Sequence, residues 1–245
     1  MKLNILYLFT FIFLAFSSTS EAQNAETILQ NMDNLMSAPK DRVATIVMTT
    51  TNKREDEKVR EAAYKQKGTD RKMYRYTKPE KKAGIATLSL PGGIMWVYMP
   101  SFGKPIKISL LSKSQAFTGT DFSYEDMSGI PYNDRYIPTL VKSDSEEYYM
   151  LQLTPREDKT TYSKIIISID KKNYYPIKMA FFDKDNIYEK LATYTYAKKD
   201  NYWYAKEVEM TDLQKNHSTQ IIMKDIKFDQ GLTDEEFDVD KLKID

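Results

Sequence analysis

Cysteine is absent from this chain of 245 residues, and histidine occurs once, as His217. Without cysteine the chain has no disulfides, no thiolate metal ligands and no cysteine nucleophile. A single histidine also excludes any site that needs two imidazole side chains. An excess of charge of one sign is also lacking, because 36 Lys and Arg face 35 Asp and Glu. Nucleic acids attract strongly basic surfaces, so this balance argues against a nucleic-acid partner.

The composition is that of a folded globular protein, with 41% hydrophobic and 13% aromatic residues. The sequence contains no phosphate-binding loop, no nucleophile elbow and no metal-binding helix motif. Asp121, Glu125 and Asp126 form an acidic group of the kind used in acid–base catalysis. Glu125 and Asp126, however, follow Ser123 at the start of a predicted helical turn, where negative charge stabilises the helix dipole. We therefore predict a protein that is not an enzyme, with no metal and no cofactor.

The N-terminus is typical of a secretory signal peptide. Lys2 precedes an apolar run over residues 3–16, and Ser20-Glu21-Ala22 supplies small residues at the positions expected before a cleavage site. The run is shorter than the roughly 20 residues that span a bilayer. We predict a signal peptide over 1–22 and a single domain over 23–245. An uncleaved anchor helix is the alternative.

Most of the mature chain has the periodicity of β-strands. After an amphipathic helix over 25–36, the segment 43–51 alternates with Ala44, Ile46 and Met48 on one face. Short polar links join the strands that follow, and such links force antiparallel pairing, since a parallel crossover needs a dozen or more residues. Further strands are predicted at 59–67, 71–77, 94–100, 106–109, 148–154, 162–169, 174–182, 187–197, 202–212 and 219–228.

The number of strands favours a curved sheet. Antiparallel sheets of about ten strands tend to curl or close. Small closed barrels are filled by their own side chains, whereas larger or incompletely closed ones enclose a ligand cavity. The strand pattern leaves a cavity and a solid core both open.

The middle of the chain contains a distinctive motif. The strand Trp96-Val97-Tyr98-Met99-Pro100-Ser101 is followed by Phe117-Thr118-Gly119-Thr120-Asp121-Phe122-Ser123-Tyr124-Glu125-Asp126. Together they resemble the outer-membrane lipoprotein-sorting protein family, relatives of the periplasmic carrier LolA. The family usually has Ser at position 120 and Met at position 118, so the departures here are mild. The resemblance extends to 83–88, 174–178 and 231–237.

The resemblance implies a mainly β fold with a few helices: a strongly curved, incompletely closed antiparallel β-barrel with helices covering the opening. It also implies an apolar interior that holds lipid acyl chains in the periplasm. Burial of each methylene contributes roughly 0.8 kcal/mol, so exposing a chain of about 16 carbons to water costs on the order of 12 kcal/mol. Lipids therefore need a carrier to cross an aqueous compartment.

Two groups of residues are candidates for the site. Gly119, Asp121, Glu125 and Asp126 are assigned structural roles in the motif, with Gly119 supplying a backbone shape that other residues resist. A second group of large apolar side chains either lines or gates the cavity or fills an ordinary core: Ile46, Met48, Trp96, Tyr98, Leu110, Leu111, Phe117, Phe122, Tyr124 and Met127. For Leu110 and Leu111 the alternatives are a lid and a buried loop anchor. His217 is predicted to be exposed and solitary.

The expected function is that of a periplasmic carrier, a monomer that binds acyl chains of lipoproteins or other lipids for transfer toward the outer membrane. An inner-membrane transporter and an outer-membrane acceptor are the partners that the resemblance implies. The alternative is a periplasmic sensor or adaptor of the same fold, which detects lipid or lipoprotein and signals to an inner-membrane partner.

Overall fold

The computed structural model describes residues 16–109, 114–158 and 160–243, with side chains from residue 24 onward. Three helices are present in this part of the chain: α1 (Phe16–Met36), α2 (Tyr124–Met127) and α3 (Tyr132–Arg135). Single 3₁₀ turns occur at Glu80–Lys82, Pro91–Gly93, Pro100–Phe102, Phe117–Gly119, Asp234–Phe237 and Val239–Lys243. The strands are β1 (Asp41–Thr51), β2 (Glu57–Lys67), β3 (Arg71–Lys78), β4 (Ala86–Leu90), β5 (Ile94–Tyr98), β6 (Ile106–Lys107), β7 (Tyr136–Val141), β8 (Tyr148–Pro155), β9 (Lys164–Asp170), β10 (Pro176–Phe182), β11 (Tyr188–Lys199), β12 (Tyr202–Asp212) and β13 (His217–Phe228).

The strands form one antiparallel sheet in the order β6-β5-β4-β3-β2-β1-β13-β12-β11-β10-β9-β8-β7. Each half of the chain is a meander of neighbouring strands, and the pairing of β1 with β13 joins the two halves. The sheet is strongly curved and does not close, so β6 and β7 are its edges. The predicted fold class is confirmed.

The concave face of the sheet carries the main hydrophobic core. Along β1, Ile46 and Met48 are buried and alternate with partly exposed residues, as the period-two pattern predicted. Helix α1 packs into the concavity with its apolar stripe, formed by Ala25, Ile28, Leu29 and Met32, all of which are 2% exposed or less. The helix thereby covers part of a face that would otherwise meet water.

A second, smaller core lies on the convex face. Met73, Ala86 and Leu88 of β3 and β4 are buried there by Phe237 and Leu242 of the C-terminal 3₁₀ turns. The segment Thr233-Asp234-Glu235-Glu236 has the residue spacing of a capping box. A turn does begin at Asp234, but it is 3₁₀ and Thr233 makes no side-chain cap.

The structure contains more strands than the sequence pattern indicated. Strand β7 was not predicted because Pro138 interrupts its pattern, and proline cannot donate to a ladder. At an edge of the sheet this lost donor has no consequence, since one side of the strand is unpaired anyway.

Helix α1 also begins earlier than predicted, so the proposed cleavage point after Ala22 falls within it. Cleavage there stays a prediction.

No helix in the described part of the chain combines the length and apolarity needed to cross a bilayer.

Candidate functional site

A cavity lies between the concave face of the sheet and the helices that cover it. The cavity has a volume of about 200 Å³. A water molecule occupies about 30 Å³ in the liquid, so this space corresponds to about seven water molecules. Because a methylene group fills about the volume of one water molecule, this space holds a single hydrocarbon chain over about seven of its carbons.

The walls of the cavity are mainly aromatic and aliphatic. The aromatic side chains come chiefly from β2, β3, β10, β11 and β12, and the others from α1, β1, β12, β13 and the segment after α2. The lining side chains of these two kinds are Tyr64, Tyr74, Phe122, Tyr132, Phe181, Tyr194, Tyr196, Trp203 and Tyr204, together with Leu35, Met36, Ile46, Met127, Ile130, Val208, Met210, Ile221 and Met223. Such a surface favours apolar ligands and, through the flexible methionines, adapts to irregular shapes.

The tyrosines of the walls are held in their neutral form. Burial raises the pKa of Tyr64 to about 12 and raises the pKa values of Tyr74, Tyr194 and Tyr196 well above the usual value. A low-dielectric environment disfavours the phenolate in each case. The cavity therefore presents neutral rings and hydroxyls at any physiological pH.

The motif at 117–126 forms part of the cavity floor, next to a row of aromatic rings. The ring centroid of Phe117 lies 5.3 Å from those of Tyr74 and Tyr124, and Tyr74 lies 4.8 Å from Tyr64. Gly119 has a φ of +82°, the left-handed region expected for a glycine that reverses the chain. The loop thus turns back so that Phe122 and Met127 reach the cavity.

Helix α2 is a single turn, and a capping box of two reciprocal hydrogen bonds fixes its start. The Ser123 hydroxyl accepts the N–H of Asp126 at 3.1 Å, and the Asp126 carboxylate accepts the N–H of Ser123 at 2.7 Å. Tyr162 also donates its hydroxyl to Asp126 at 2.9 Å. Burial raises the pKa of Asp126, although these hydrogen bonds act in the opposite direction. Asp126 serves as a capping residue of α2.

Glu125 forms a buried ion pair with Arg135, which lines the cavity. Its carboxylate lies 3.1 Å from Nη1 of Arg135, and the two side chains are 7% and 12% exposed. The second carboxylate oxygen accepts the backbone N–H of Thr161 at 2.7 Å and also the Thr161 hydroxyl. This carboxylate therefore connects α2, α3 and the segment before β9.

Asp121 has a partner that the sequence did not suggest. Its carboxylate oxygens lie 2.7 and 2.8 Å from Nδ1 of His217, and it accepts the hydroxyl of Thr219 at 2.6 Å. The prediction of a solitary, exposed His217 is wrong. The reason is topological: β13 runs next to β1 and brings a residue 96 positions away against the motif.

These three carboxylates do not form an acid–base pair. Each one accepts hydrogen bonds from a different set of backbone or side-chain donors, and each ties the motif loop to another element. No cluster of three or more potential metal-ligating side chains occurs among the described residues.

The structure separates the predicted apolar site residues into groups. Ile46, Phe122 and Met127 line the cavity. Met48, Phe117 and Tyr124 belong to the same concave core, behind the lining. Trp96 and Tyr98 pack on the opposite, convex face against the second core. Leu110 and Leu111 lie outside the described residues.

Several lining residues were not predicted as site residues. Trp203, Val208 and Met210 share the inward face of β12, and Ile221 and Met223 share that of β13. Val208 and Met210 alternate with Glu207 and Glu209 in the sequence, which indicates an apolar face but does not tell whether that face meets a cavity or a packed core. Arg42 and Lys72 also line the cavity, and strand periodicity alone does not distinguish them from surface charges.

Three solved structures resemble this one over nearly their whole length. The first is described as an outer membrane lipoprotein-sorting protein domain from Vibrio parahaemolyticus, with a TM-score of 0.84 and 27% identity, covering 91% of this chain and 99% of that one. A DUF1329 family protein from Desulfovibrio piger gives a TM-score of 0.83 at 21% identity, with 91% and 99% covered. A LolA superfamily protein from Nitrosomonas europaea gives 0.75 at 24% identity, with 89% and 98% covered.

An open, curved antiparallel sheet with helices over its concave face is thus the LolA superfamily fold. A family model whose description reads "uncharacterized protein" matches residues 68–244. The chain belongs to this family, and its fold is similar to those of the outer membrane lipoprotein-sorting protein domain and the LolA superfamily protein, as the motif indicated. Comparison with curated proteins finds no significant match.

Proposed function

We propose that the protein is a periplasmic carrier that binds one acyl chain of a lipoprotein or another lipid in the cavity and carries it toward the outer membrane. The observation that supports this most directly is the cavity itself, enclosed by the concave sheet and α1 and lined by aromatic and aliphatic side chains. Likeness to a lipoprotein-sorting domain at 27% identity agrees with that role.

A carrier must bind its cargo firmly and still release it. Burial of about seven methylenes in the cavity yields on the order of 6 kcal/mol of transfer free energy, about half of what a chain of about 16 carbons gains in a membrane. Ordering the chain in the cavity opposes part of this gain. Adaptable methionines such as Met210 and Met223 suit cargo that is held without close complementarity.

The signal peptide predicted over 1–22 supports a periplasmic location. A donor in the inner membrane and an acceptor in the outer membrane would complete the route. We propose that the protein acts on them as a monomer and that it binds cargo without catalysing a reaction.

Uptake of a fluorescent fatty acid by delipidated protein tests the proposal. We expect saturable binding of one molecule per chain. Met223→Trp places a large ring in the cavity and should weaken binding about tenfold, equivalent to about 1.4 kcal/mol. Ile222→Trp is the matched control, because Ile222 neighbours Met223 on β13 but does not line the cavity. The control should bind like the unchanged protein.

Absence of saturable uptake by the unchanged protein, or equal loss in both variants, would contradict a cavity carrier. A second measurement separates a carrier from a sensor of the same fold. Loaded protein is mixed with acceptor vesicles, and transfer of the fluorescent lipid is followed. Uptake without transfer would favour the sensor.

A further inference from the structure

Two cationic side chains line the cavity without an acidic partner. Arg42 on β1 is only 7% exposed, and its Nη2 donates to the carbonyl of Met36 at 2.6 Å. Lys72 on β3 points to the same face as Tyr74, toward the cavity. Among the described residues, no carboxylate lies within 4.0 Å of either cationic group. Arg42 is buried and Lys72 is half-buried, and a cation removed from water without a counter-ion destabilises a folded protein, so their presence calls for an explanation.

The backbone leaves room for the Lys72 ammonium group. Gly129, in the segment between α2 and α3, has a φ of +81°. A Cβ at this position would lie 2.5 Å from Cε and 2.8 Å from Nζ of Lys72, and 2.3 Å from the carbonyl oxygen of Thr69. Any other residue at 129 would therefore push Lys72 away from the cavity wall.

The electrostatic setting of Lys72 is unfavourable to its charge. Burial, followed by the neighbouring charges of Arg42 and Arg135, lowers the pKa of Lys72 to about 7, and only Asp70 acts in the opposite direction. These cations are therefore close enough to repel one another.

The carboxylates of the cavity lining are engaged elsewhere. Asp33 of α1 accepts the backbone N–H groups of Tyr132 and Asn133 at 3.1 and 2.9 Å, which caps α3. Asp126 accepts the N–H of Ser123 and the hydroxyl of Tyr162. Neither of them neutralises Arg42 or Lys72.

Tyr196 adds a third donor to this part of the wall. Its hydroxyl is buried and has no hydrogen-bond partner among the described residues. The charge of Arg42 acts on this hydroxyl, which places the two groups in the same region. A buried hydroxyl without a partner is costly unless a ligand supplies an acceptor.

We propose that the cavity takes amphiphiles with an anionic head, whose carboxylate or phosphate oxygens accept hydrogen bonds from Arg42, Lys72 and Tyr196 while the tail lies against Ile46, Met210 and Ile221. The inference rests on the proposed function and deepens it to a class of ligand. Hydrogen bonds between ionised groups are stronger than those between neutral groups, especially in a site of low dielectric constant. The head group therefore contributes affinity that the tail alone does not supply.

Ligands that share one tail and differ in the head test this. Binding of palmitate, 1-palmitoyl lysophosphatidic acid and monopalmitoylglycerol to the delipidated full chain is measured by calorimetry at pH 6.5, with inorganic phosphate as a tail-free probe. We expect both anionic amphiphiles to bind about tenfold more tightly than monopalmitoylglycerol. The anion that binds better identifies the head as carboxylate or phosphate.

Lys72→Met retains the aliphatic stem and removes the charge. This variant should bind palmitate and lysophosphatidic acid about tenfold more weakly, while monopalmitoylglycerol affinity changes less than about twofold. Unchanged binding of the neutral lipid also shows that the variant is folded. Lys81→Met, at an exposed lysine outside the cavity, should leave all affinities as they were.

The pH dependence gives a second measurement. Hexadecanesulfonate stays ionised, so its binding reports on the protein alone. Lys72 loses its proton in the empty protein as the pH rises above about 7, and bound anion raises the pKa of Lys72. Affinity should therefore fall up to about tenfold per pH unit above pH 7. Lys72→Met should remove this fall; the other charged groups that act on this position are Arg42, Arg135 and Asp70.

Equal affinities of palmitate and monopalmitoylglycerol, with no effect of Lys72→Met, would overturn the anionic head site and leave the lipid carrier intact. Binding of inorganic phosphate as tightly as lysophosphatidic acid would also overturn it, because the anion site would then work without the tail. Absence of binding by all of the amphiphiles would overturn both the inference and the proposed function.

Discussion

At the scale of single residues, the motif is held by polar contacts over long sequence separations. Asp121 contacts His217 and Thr219, whereas Glu125 contacts Arg135 and Thr161. Each carboxylate is buried and each has two or more donors around it. The acidic residues that resemble a catalytic group in the sequence are therefore the attachment points of a loop.

The ion pair of Glu125 and Arg135 should be important for stability. Glu125→Gln keeps the shape and an acceptor for Thr161, but it leaves the buried guanidinium without a counter-ion. We expect the free energy of unfolding to fall by about 3 kcal/mol. Urea denaturation measures this change. Glu26→Gln, at an exposed position on α1, is the control and should shift stability by less than about 0.5 kcal/mol. Similar effects in both variants would show that the pair contributes little.

At the scale of elements, the C-terminal segment works as a cover for the convex face. Asp41 of β1 accepts the backbone N–H groups of Gln230, Gly231 and Leu232 at 2.6 to 2.9 Å, which fixes the segment where it leaves β13. Further along, Arg75 of β3 donates to the carbonyls of Lys241 and Leu242. The segment is thereby pinned at both ends over Phe237.

Phe237→Ala should destabilise the fold without affecting the cavity. Removing a ring that is 2% exposed costs about 3 kcal/mol, through lost burial and the void left behind. Because Phe237 packs on the convex face, affinity for the fluorescent fatty acid should be unchanged for the folded protein. Urea unfolding and lipid titration measure the two quantities.

Phe102→Ala is the matched control, since Phe102 is 57% exposed and its loss should have little effect on stability. A weaker lipid affinity in Phe237→Ala, at a temperature where the variant is fully folded, would mean that the two faces of the sheet are coupled.

At the scale of the whole molecule, one curved sheet separates two environments. The concave face with α1 encloses the cavity, and the convex face with the C-terminal segment encloses a solid core. The two tryptophans report on these environments separately, because Trp203 lines the cavity and Trp96 packs on the convex core.

Quenching by a brominated fatty acid should therefore depend on Trp203. Quenching requires close approach of bromine to the indole, so Trp203→Phe should abolish most of the loss of fluorescence. Trp96→Phe should retain the quenching and remove only the fluorescence of the indole that the lipid does not reach. Steady-state fluorescence titration measures both. Persistent quenching in Trp203→Phe would place the lipid at the convex face instead.

Much of the architecture follows from local patterns. Period-two alternation and short polar links predicted most strands and their antiparallel order, because each face of a strand meets one environment and short links allow no crossover. The capping sequence around Ser123 predicted α2, since its hydrogen bonds join residues three apart. The motif at 117–126 indicated the family. Strand β7 was missed because Pro138 is tolerated only at an edge, and being an edge is a property of the assembled sheet.

The site depended on the tertiary structure. Trp96 and Ile46 look alike in the sequence, as large apolar residues on strands, yet the curvature of the sheet places one against the C-terminal segment and the other in the cavity. Three strands contribute the polar lining residues Arg42, Lys72 and Tyr196. These strands surround the same cavity only because β1 pairs with β13. Local sequence determines which face of a strand is apolar, but only the curvature of the whole sheet around a helix decides whether that face meets a packed core or a cavity.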